Sequence, residues 1–315
     1  MSGPTVGLDV GGTKILALEL GDDGTPTGRR ERVVTPMGAS ELVEALADVA
    51  QSISGAVAVG VGLPGLVDRS GRLRAGSHLP GVIDVPFAAE LSERLRLPVT
   101  VDNDATCATY AEVALGAARG ASDVVLVTLG TGIGGGLVLG GELQRGANGF
   151  AGEPGHMVVD PNGPHCPCGR RGCWERYASG SGLGRMGREA AEAGRSSMLV
   201  ELAGGDPESV RGEHVTAAAA QRDPGALGVL RDFGWWTALG IANLVDLLDP
   251  AMVVIGGGLV EAGDLLLDPI RDALGGLVLS YDHRPDVPIV PAALGSDAGA
   301  IGAALIARDR DPGSV

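Results

Sequence analysis

The sequence of 315 residues predicts an α/β fold that is duplicated into two lobes. Three observations support this prediction. An apolar run, a glycine turn and a second apolar run begin at Val6, and the same pattern recurs from Val124. Helical patterns alternate with these strand-like runs, as is typical of α/β proteins. The length is also enough for two domains of ordinary size, each with its own core.

The two repeated units predict β-hairpins with tight glycine turns. The runs that follow the turns are too short and too closely bounded by glycine to be helices. A tight hairpin turn exposes backbone N–H groups, which can bind an anion. The segments are residues 6–10 and 15–20 around Gly11, Gly12, Thr13 and Lys14, and residues 124–129 and 137–139 around a turn at 130–136.

The rest of the chain alternates between helical and strand-like patterns, with a domain boundary near residue 115. Strands are predicted over residues 97–101 and 251–255. Helices are predicted over residues 40–53, opened by Ser40 as N-cap, and over 87–96, 105–118, 259–274 and 296–308, with further helical segments up to about 248. The predicted lobes are residues 1–115 plus 296–315, and a larger lobe of residues 116–295 that contains a Gly/Pro/Cys-rich loop at 146–175.

The charge balance excludes several classes of partner. The chain has 24 Lys and Arg against 39 Asp and Glu, a formal net charge of −15. Nucleic acids and anionic membrane surfaces both demand a basic footprint, so neither is an expected partner. The first ten residues lack a basic region and include Asp9, and residues 124–141 lack the apolar density of a membrane span. We therefore expect a cytoplasmic protein.

The glycine turns are candidates for binding phosphate. Gly130, Gly132 and Gly135 have the spacing of a dinucleotide fingerprint, but no helix follows them, so that interpretation is rejected. No P-loop motif is present. The remaining hypothesis is a pair of facing anion-binding turns, at residues 11–14 and 130–132, with Thr13 and Thr131 in the turns and Asp9 just before the first. Taken singly, each could be an ordinary turn.

Two further features favour a bound nucleotide. Lys14 is the sole lysine among the 24 basic residues and lies beside a glycine turn, where an ammonium group could meet phosphates. A strand at 251–255, glycines at 256–258 and a following helix would suit a nucleotide at a helix N-terminus, although plain packing also explains that pattern.

The cysteines indicate a metal site. His156, Cys166, Cys168 and Cys173 offer three thiolates and one imidazole, a complete tetrahedral set for a structural zinc ion. Such a site would fix a loop that has little core of its own. His165 is the alternative fourth ligand, and buried free thiols are the alternative to a metal.

Polar residues follow a predicted strand and flank the metal loop. Asp102, Asn103 and Asp104 come between a strand and a helix, where one of them could be a helix cap. The carboxyl end of a strand is also where α/β proteins place their chemistry. A metal that fixes His156 would orient Glu153 and Glu175 as well.

These motifs resemble the ROK family (repressors, open reading frames, kinases) over nearly the whole chain. The segment GCWERYASG at 172–180 is most similar to that of the bacterial glucokinases in the family. The motifs, in the family's order, are DVGGTK at 9–14, DND at 102–104, LGTGIGGG at 129–136, GEPGH at 152–156 and CPCGRRGCWE at 166–175.

The resemblance implies a two-lobed ribonuclease-H-like fold of the actin-like ATPase and hexokinase type, with ATP and a hexose in the cleft. Asp104 matches the catalytic base, and Asp9 the carboxylate associated with Mg²⁺. The sugar ligands it implies are Gly65, Asn103, Asp104, Glu153, His156 and Glu175. The nucleotide ligands it implies are Asp9, Gly11, Gly12, Thr13, Lys14, Thr131, Gly132 and Gly257, and the metal ligands are His156, Cys166, Cys168 and Cys173.

The expected activity is ATP-dependent phosphorylation of a hexose at its 6-hydroxyl, converting glucose to glucose 6-phosphate. His78 stands where these glucokinases usually have Asn, so N-acetylmannosamine, fructose and allose remain alternative substrates. Polyphosphate is an alternative donor, although relatives that use it generally lack the cysteine loop. A repressor would need an N-terminal helix-turn-helix, which we do not expect before a turn at Gly11. Asp104 and Lys14 argue against a non-catalytic sugar-binding regulator. Family members are commonly dimers or tetramers, so we expect a homo-oligomer.

Overall fold

The computed structural model describes residues 3–53, 55–76 and 79–309. Its strands are β1 (Thr5–Val10), β2 (Lys14–Leu20), β3 (Pro26–Val34), β4 (Ala58–Leu63), β5 (Leu66–Val67), β6 (Leu73–Ala75), β7 (Val99–Asn103), β8 (Val124–Leu129), β9 (Ile133–Leu139), β10 (Glu142–Leu143), β11 (Met252–Gly256) and β12 (Ile289–Pro291). Its helices are α1 (Ala39–Ser52), α2 (Phe87–Leu95), α3 (Asp104–Ala114), α4 (Glu175–Ala178), α5 (Gly180–Glu192), α6 (Ser197–Leu202), α7 (Gly212–Ala220), α8 (Pro224–Leu248), α9 (Asp264–Leu274) and α10 (Ala298–Asp309).

Both predicted hairpins are present, and the two main sheets have the same strand order. The first sheet has the order β3-β2-β1-β4-β7 and the second β10-β9-β8-β11-β12. In the first, β1 and β2 are antiparallel, whereas β4 pairs in parallel with both β1 and β7. In the second, β11 pairs in parallel with β8 and β12. The repeated order agrees with the duplication inferred from the sequence.

The chain divides into two compact units. Unit 1 contains the residues up to Ser122, Gly136–Gly152 and the residues from Ala293 on, and unit 2 contains Asp123–Gly135 and Glu153–Ala292. This division differs from the predicted lobes mainly at residues 136–152, because that segment packs with unit 1. A sequence boundary near residue 115 places it in the other lobe.

The core of unit 1 lies on both faces of its sheet. Leu42, Leu46 and Phe87 of α1 and α2 pack with apolar residues of β1, β2 and β4 in one buried cluster. On the other face, α10 approaches the strands so closely that a Cβ at Gly7 or Gly60 would overlap its backbone carbonyls. Glycine in the strands therefore allows direct packing of an Ala/Gly-rich helix.

Several boundaries differ from the sequence prediction for local reasons. Helix α1 is capped by Gly38, so the prediction of Ser40 as N-cap is wrong. The helix predicted from residue 259 is split: a 3₁₀ turn at Gly258–Ala262 precedes α9, and Gly263 breaks the helix with a φ of 59°. His78 lies outside the described residues. In the part of the chain that is described, no helix has the length and apolar character needed to cross a membrane.

Candidate active site and metal cluster

The sheet of unit 1 places Asp9 and the 102–104 motif at one edge. The register aligns Asp9 with Gly62, and Gly62 with Asp102, so the carboxyl ends of β1, β4 and β7 are level. A Cβ at Gly62 would lie 3.3 Å from Asp104 Cα and 3.6 Å from Asp9 Oδ1. Two predicted site carboxylates, Asp9 and Asp104, therefore lie on either side of a glycine.

The environment of Asp9 disfavours its charged form. Burial, and then the nearby charge of Asp104, raise the pKa of Asp9 from 3.8 to about 7, while Lys14 lowers it. Helix α10 contributes to this burial, because a Cβ at Gly299 would lie 2.6 Å from the Asp9 carboxyl carbon. A cation bound beside Asp9 would favour the charged carboxylate and so lower the pKa of Asp9.

We expect Asp9→Asn to make the protein less sensitive to pH in the absence of Mg²⁺. Because the folded pKa of Asp9 lies above the unfolded one, its stabilising contribution is complete below about pH 4 and is lost as the pH rises through about 7. As the pH rises from 5 to 7, wild type should lose on the order of 2 kcal/mol of unfolding free energy that Asp9→Asn does not lose. Urea unfolding measures this loss.

The exposed Asp48 in α1 offers a control. Asp48→Asn should follow the wild-type pH profile. Parallel profiles for Asp9→Asn and wild type would contradict the raised pKa of Asp9.

Asn103 joins the predicted base to the predicted sugar loop. Its Oδ1 accepts from Thr106 N at 2.9 Å and caps α3, which confirms a cap within the motif. Its Nδ2 donates to the Gly65 carbonyl at 3.2 Å. Gly65 has a φ of +126°, a conformation that favours glycine. The structure therefore brings Gly65, Asn103 and Asp104 together.

Asp102 belongs to an ion pair that the sequence did not indicate. Arg145 Nε donates to Asp102 Oδ2 at 2.5 Å, and both side chains are largely buried. Arg69 also donates to the carbonyls of Gly146 and Ala147. The first contact fixes the start of the 145–151 loop to β7, the strand that carries the site. The second fixes the same loop to Arg69.

The first glycine turn is exposed at its tip. Gly11 N donates to the Lys14 carbonyl at 2.8 Å, and Thr35 Oγ1 donates to the Gly11 carbonyl at 2.7 Å. Gly12, Thr13 and Lys14 face solvent. The turn is thus held at its base and open at the residues predicted to meet a phosphate.

The second glycine turn, in unit 2, is bonded to the α4–α5 region. Glu175 Oε2 accepts from Ile133 N at 3.0 Å, and a Cβ at Gly132 would overlap that oxygen. Gly180 N donates to the Gly130 carbonyl at 2.7 Å, and Ser181 Oγ donates to the Thr131 carbonyl at 2.9 Å. A predicted sugar ligand and a predicted phosphate turn are therefore in direct contact.

The backbone around Gly257 leaves no room for a side chain. The φ of this glycine is +82°, and a Cβ there would lie 2.5 Å from the carbonyl group of Leu129 at the end of β8. The next residue, Gly258, lines a pocket of about 960 Å³ in unit 2. Gly130 and Thr131 also line this pocket, which therefore extends from the second glycine turn to the residues after β11.

The predicted metal ligands are assembled in unit 2. One ligand atom from each of His156, Cys166, Cys168 and Cys173 lies within 4.8 Å of all the others. His156 Nδ1 is 3.9 Å from Cys166 Sγ, and the sulfurs of Cys168 and Cys173 are 3.5 Å apart. Burial alone would raise the pKa of the Cys168 thiol, but hydrogen bonds, first of all from Arg170, lower it to about 7. Three sulfurs and an imidazole suit a tetrahedral zinc ion.

His165, the alternative ligand, lies outside the cluster. Its Nε2 is 2.6 Å from Arg171 Nη1, which places the ring in contact with a guanidinium group instead. The structure therefore selects His156 from the two histidines that the sequence left open.

The residues after the last cysteine anchor the cluster to the helical part of unit 2. Trp174 is fully buried, and its Nε1 donates to the Trp236 carbonyl at 2.8 Å. Its ring fills the space that a side chain at Gly240 of α8 would need. Glu175 follows at once as the first residue of α4. At the other side of the loop, His156 ends a short 3₁₀ turn that begins directly after Glu153.

Comparison with known proteins establishes the family. The ROK family model matches residues 5–310, and the chain belongs to the ROK family. The glucokinase of Streptomyces coelicolor is 39% identical, over 98% of this chain and 99% of its own. The glucokinase of Thermotoga maritima is 35% identical, over 97% of each chain. A ROK family glucokinase from Streptomyces griseus, crystallised with glucose and AMPPNP, has a TM-score of 0.88 and 37% identity, covering 98% of this chain and 100% of that one.

These findings confirm two predictions made from the motifs. The resemblance to ROK glucokinases extends over nearly the full chain, as the order of the motifs indicated. The two-part α/β architecture of the actin-like ATPases is also the fold of the structural relatives. The roles of individual site residues remain predictions.

Proposed function

We propose that this chain is an ATP-dependent glucokinase that transfers the γ-phosphoryl group to the 6-hydroxyl of glucose. Its relatives at 35–39% identity over nearly the full length are glucokinases, and one structural relative holds glucose and AMPPNP. The observation that carries the proposal is the placement of Asp9 and Asp104 at one sheet edge, where the charge of Asp104 contributes to the raised pKa of Asp9.

Asp104 is the proposed catalytic base. It stands at the first position of α3, directly after the cap residue Asn103, and its Oδ1 accepts from Ala105 N at 2.8 Å. This bond orients the carboxylate, which would take the proton of the sugar 6-hydroxyl as the phosphoryl group arrives. The other proposed sugar ligands are Gly65, Asn103, Glu153, His156 and Glu175, whose polar groups suit a ring of hydroxyls.

The donor side needs charge stabilisation more than covalent chemistry, because phosphoryl transfer has a loose transition state. The proposed nucleotide ligands are Asp9, Gly11, Gly12, Thr13, Lys14, Thr131, Gly132 and Gly257. Asp9 would hold Mg²⁺, which neutralises phosphate charge when bound. Lys14 would bring a second positive charge to the first turn.

The metal cluster is proposed to bind one structural zinc ion. Zinc bound to Nδ1 of His156 would keep the ring proton on Nε2. The Nε2–H group could then donate to a sugar oxygen. We also propose that the protein is a cytoplasmic homodimer or homotetramer.

An assay of sugar phosphate formation tests the activity, with a panel of hexoses as acceptors and with ATP or polyphosphate as donor. We expect glucose to give the highest kcat/KM, at least tenfold above N-acetylmannosamine, fructose and allose, with ATP preferred to polyphosphate as donor. A tenfold preference corresponds to about 1.4 kcal/mol of differential binding of the transition state. A higher kcat/KM for another sugar would assign that sugar as the substrate. Sugar binding without phosphorylation from either donor would favour a non-catalytic regulator.

A further inference from the structure

Two buried guanidinium nitrogens in unit 2 have no hydrogen-bond partner among the described residues. They are Nε of Arg176 and Nε of Arg185. Both arginines line the pocket of about 960 Å³ that also includes Gly130 and Thr131. The Nη atoms of Arg176 are not among these buried nitrogens, so they are the atoms that a ligand in the pocket could reach.

The two arginines differ in how their charges are neutralised. Arg185 Nη1 pairs with Glu189 at 2.5 Å, and the guanidinium lies over the ring of Tyr177, 5.5 Å from its centre. No carboxylate lies within 4 Å of the Arg176 guanidinium in the described parts of the chain. Arg176 therefore brings to the pocket a positive charge that has no ion-pair partner within 4 Å among the described residues.

The backbone holds Arg176 close to the second glycine turn. Arg176 follows Glu175, whose carboxylate accepts from Ile133 N, and Arg176 N donates to the Cys173 carbonyl at 2.9 Å. Arg185 Nη2 donates to the Arg176 carbonyl at 3.4 Å. The two arginines are thus linked through the backbone of Arg176, which lies between the metal loop and the Gly130–Thr131 turn.

The charge of the pocket is unusual for this protein. The chain as a whole has a net charge of −15, yet the lining has the arginines 176, 185, 188 and 211 against the glutamates 213 and 261. At the rim, Arg211 is 74% exposed and lies 4.0 Å from Glu213. A cationic pocket in an acidic protein favours an anionic ligand.

We propose that Arg176, assisted by Arg185, binds the phosphate oxygens of the donor nucleotide that are not transferred. This inference rests on the proposed kinase function and adds two residues to its donor site. A guanidinium offers paired donors that match phosphate oxygens. Because these phosphates remain in the product, ADP is a suitable probe.

Isothermal titration calorimetry with ADP and with adenosine tests the proposal. Arg176→Met should weaken ADP binding at least tenfold, as expected for a hydrogen-bonded charge pair, and should change adenosine binding less than twofold. The exposed Arg211 provides the control, because Arg211→Met removes a charge from the same pocket and should weaken ADP less than threefold. Unchanged ADP binding in Arg176→Met, or an equal loss for ADP and adenosine, would overturn the proposal.

Two additional measurements separate the possible failures. Should circular dichroism show that Arg176→Met does not fold, Arg185→Met is tested with the same two ligands and the same criteria. Wild-type protein that turns over glucose while both variants bind ADP normally would defeat only the arginine assignment. Wild-type protein that binds ADP but forms none from ATP and any sugar would defeat the kinase function, and the binding data would still decide the role of Arg176.

Discussion

Asp104→Asn is expected to lower kcat for glucose by about 10²–10⁴-fold, the usual worth of a general base. The amide has nearly the same shape as the carboxylate, and its Oδ1 can still accept from Ala105 N, so the start of α3 should be preserved. It cannot take the proton of the sugar hydroxyl. Glucose binding should therefore change little while turnover is lost.

The measurement combines steady-state kinetics with titration of glucose into the variant. Asp48→Asn, an exposed change of the same chemical type in α1, should leave kcat within twofold of wild type. A kcat within tenfold of wild type for Asp104→Asn would remove the assignment of Asp104 as base. A large loss of glucose affinity with unchanged kcat would make Asp104 a binding residue instead.

Features encoded by nearby residues could be predicted from the sequence. The hairpins follow from apolar runs around glycine turns, and the metal ligands follow from cysteines within a few residues of one another. The cap Asn103 was foreseeable for the same reason, since it bonds to Thr106 three positions on. In each case the residues that interact are close in the chain or have an unusual chemical type.

Features that depend on distant residues could not be predicted. Glu112 is fully buried in α3, and its carboxylate accepts from the backbone N–H groups of Ala117, Ala293 and Leu294. Nothing in the surrounding sequence distinguishes Glu112 from a glutamate that is exposed to solvent. The pair of Arg145 with Asp102 and the bond from Ile133 N to Glu175 are similar cases, because their partners are about forty residues apart.

The edge strand β3 was missed because its composition is atypical of a buried strand. Most of Pro26–Val34 is exposed and carries charged side chains, which gives no regular apolar alternation. Charged edge strands are a common protection against pairing with other chains. Reading the apolar pattern therefore overlooks strands of this kind.

Cys168→Ser is expected to remove zinc and to destabilise the protein by at least about 3 kcal/mol, since metal binding is coupled to folding of the ligand loop. Protein purified without chelator should hold about one zinc ion per chain, and the variant should hold much less. Because His156 and Glu175 flank the loop, glucose affinity should fall with the metal content.

The remaining cysteine is a matched control for this experiment. Cys107 is buried in unit 1, outside the cluster, so Cys107→Ser should retain the zinc even where its own burial affects stability. Elemental analysis of the two variants separates loss of the metal from a general effect of replacing a cysteine.

Tryptophan fluorescence can follow the same event in wild-type protein. All three tryptophans lie in unit 2, and Trp174, next to Cys173, donates to the carbonyl of Trp236. Removing zinc with a chelator should loosen the loop, expose Trp174 and shift the emission to longer wavelength, and added zinc should reverse the shift. Because Glu175 continues directly from this anchor to the Gly132–Ile133 turn, the loss of glucose affinity should follow the same titration curve. Zinc-free protein with wild-type emission and glucose affinity would show that the cluster supports neither the fold nor the site.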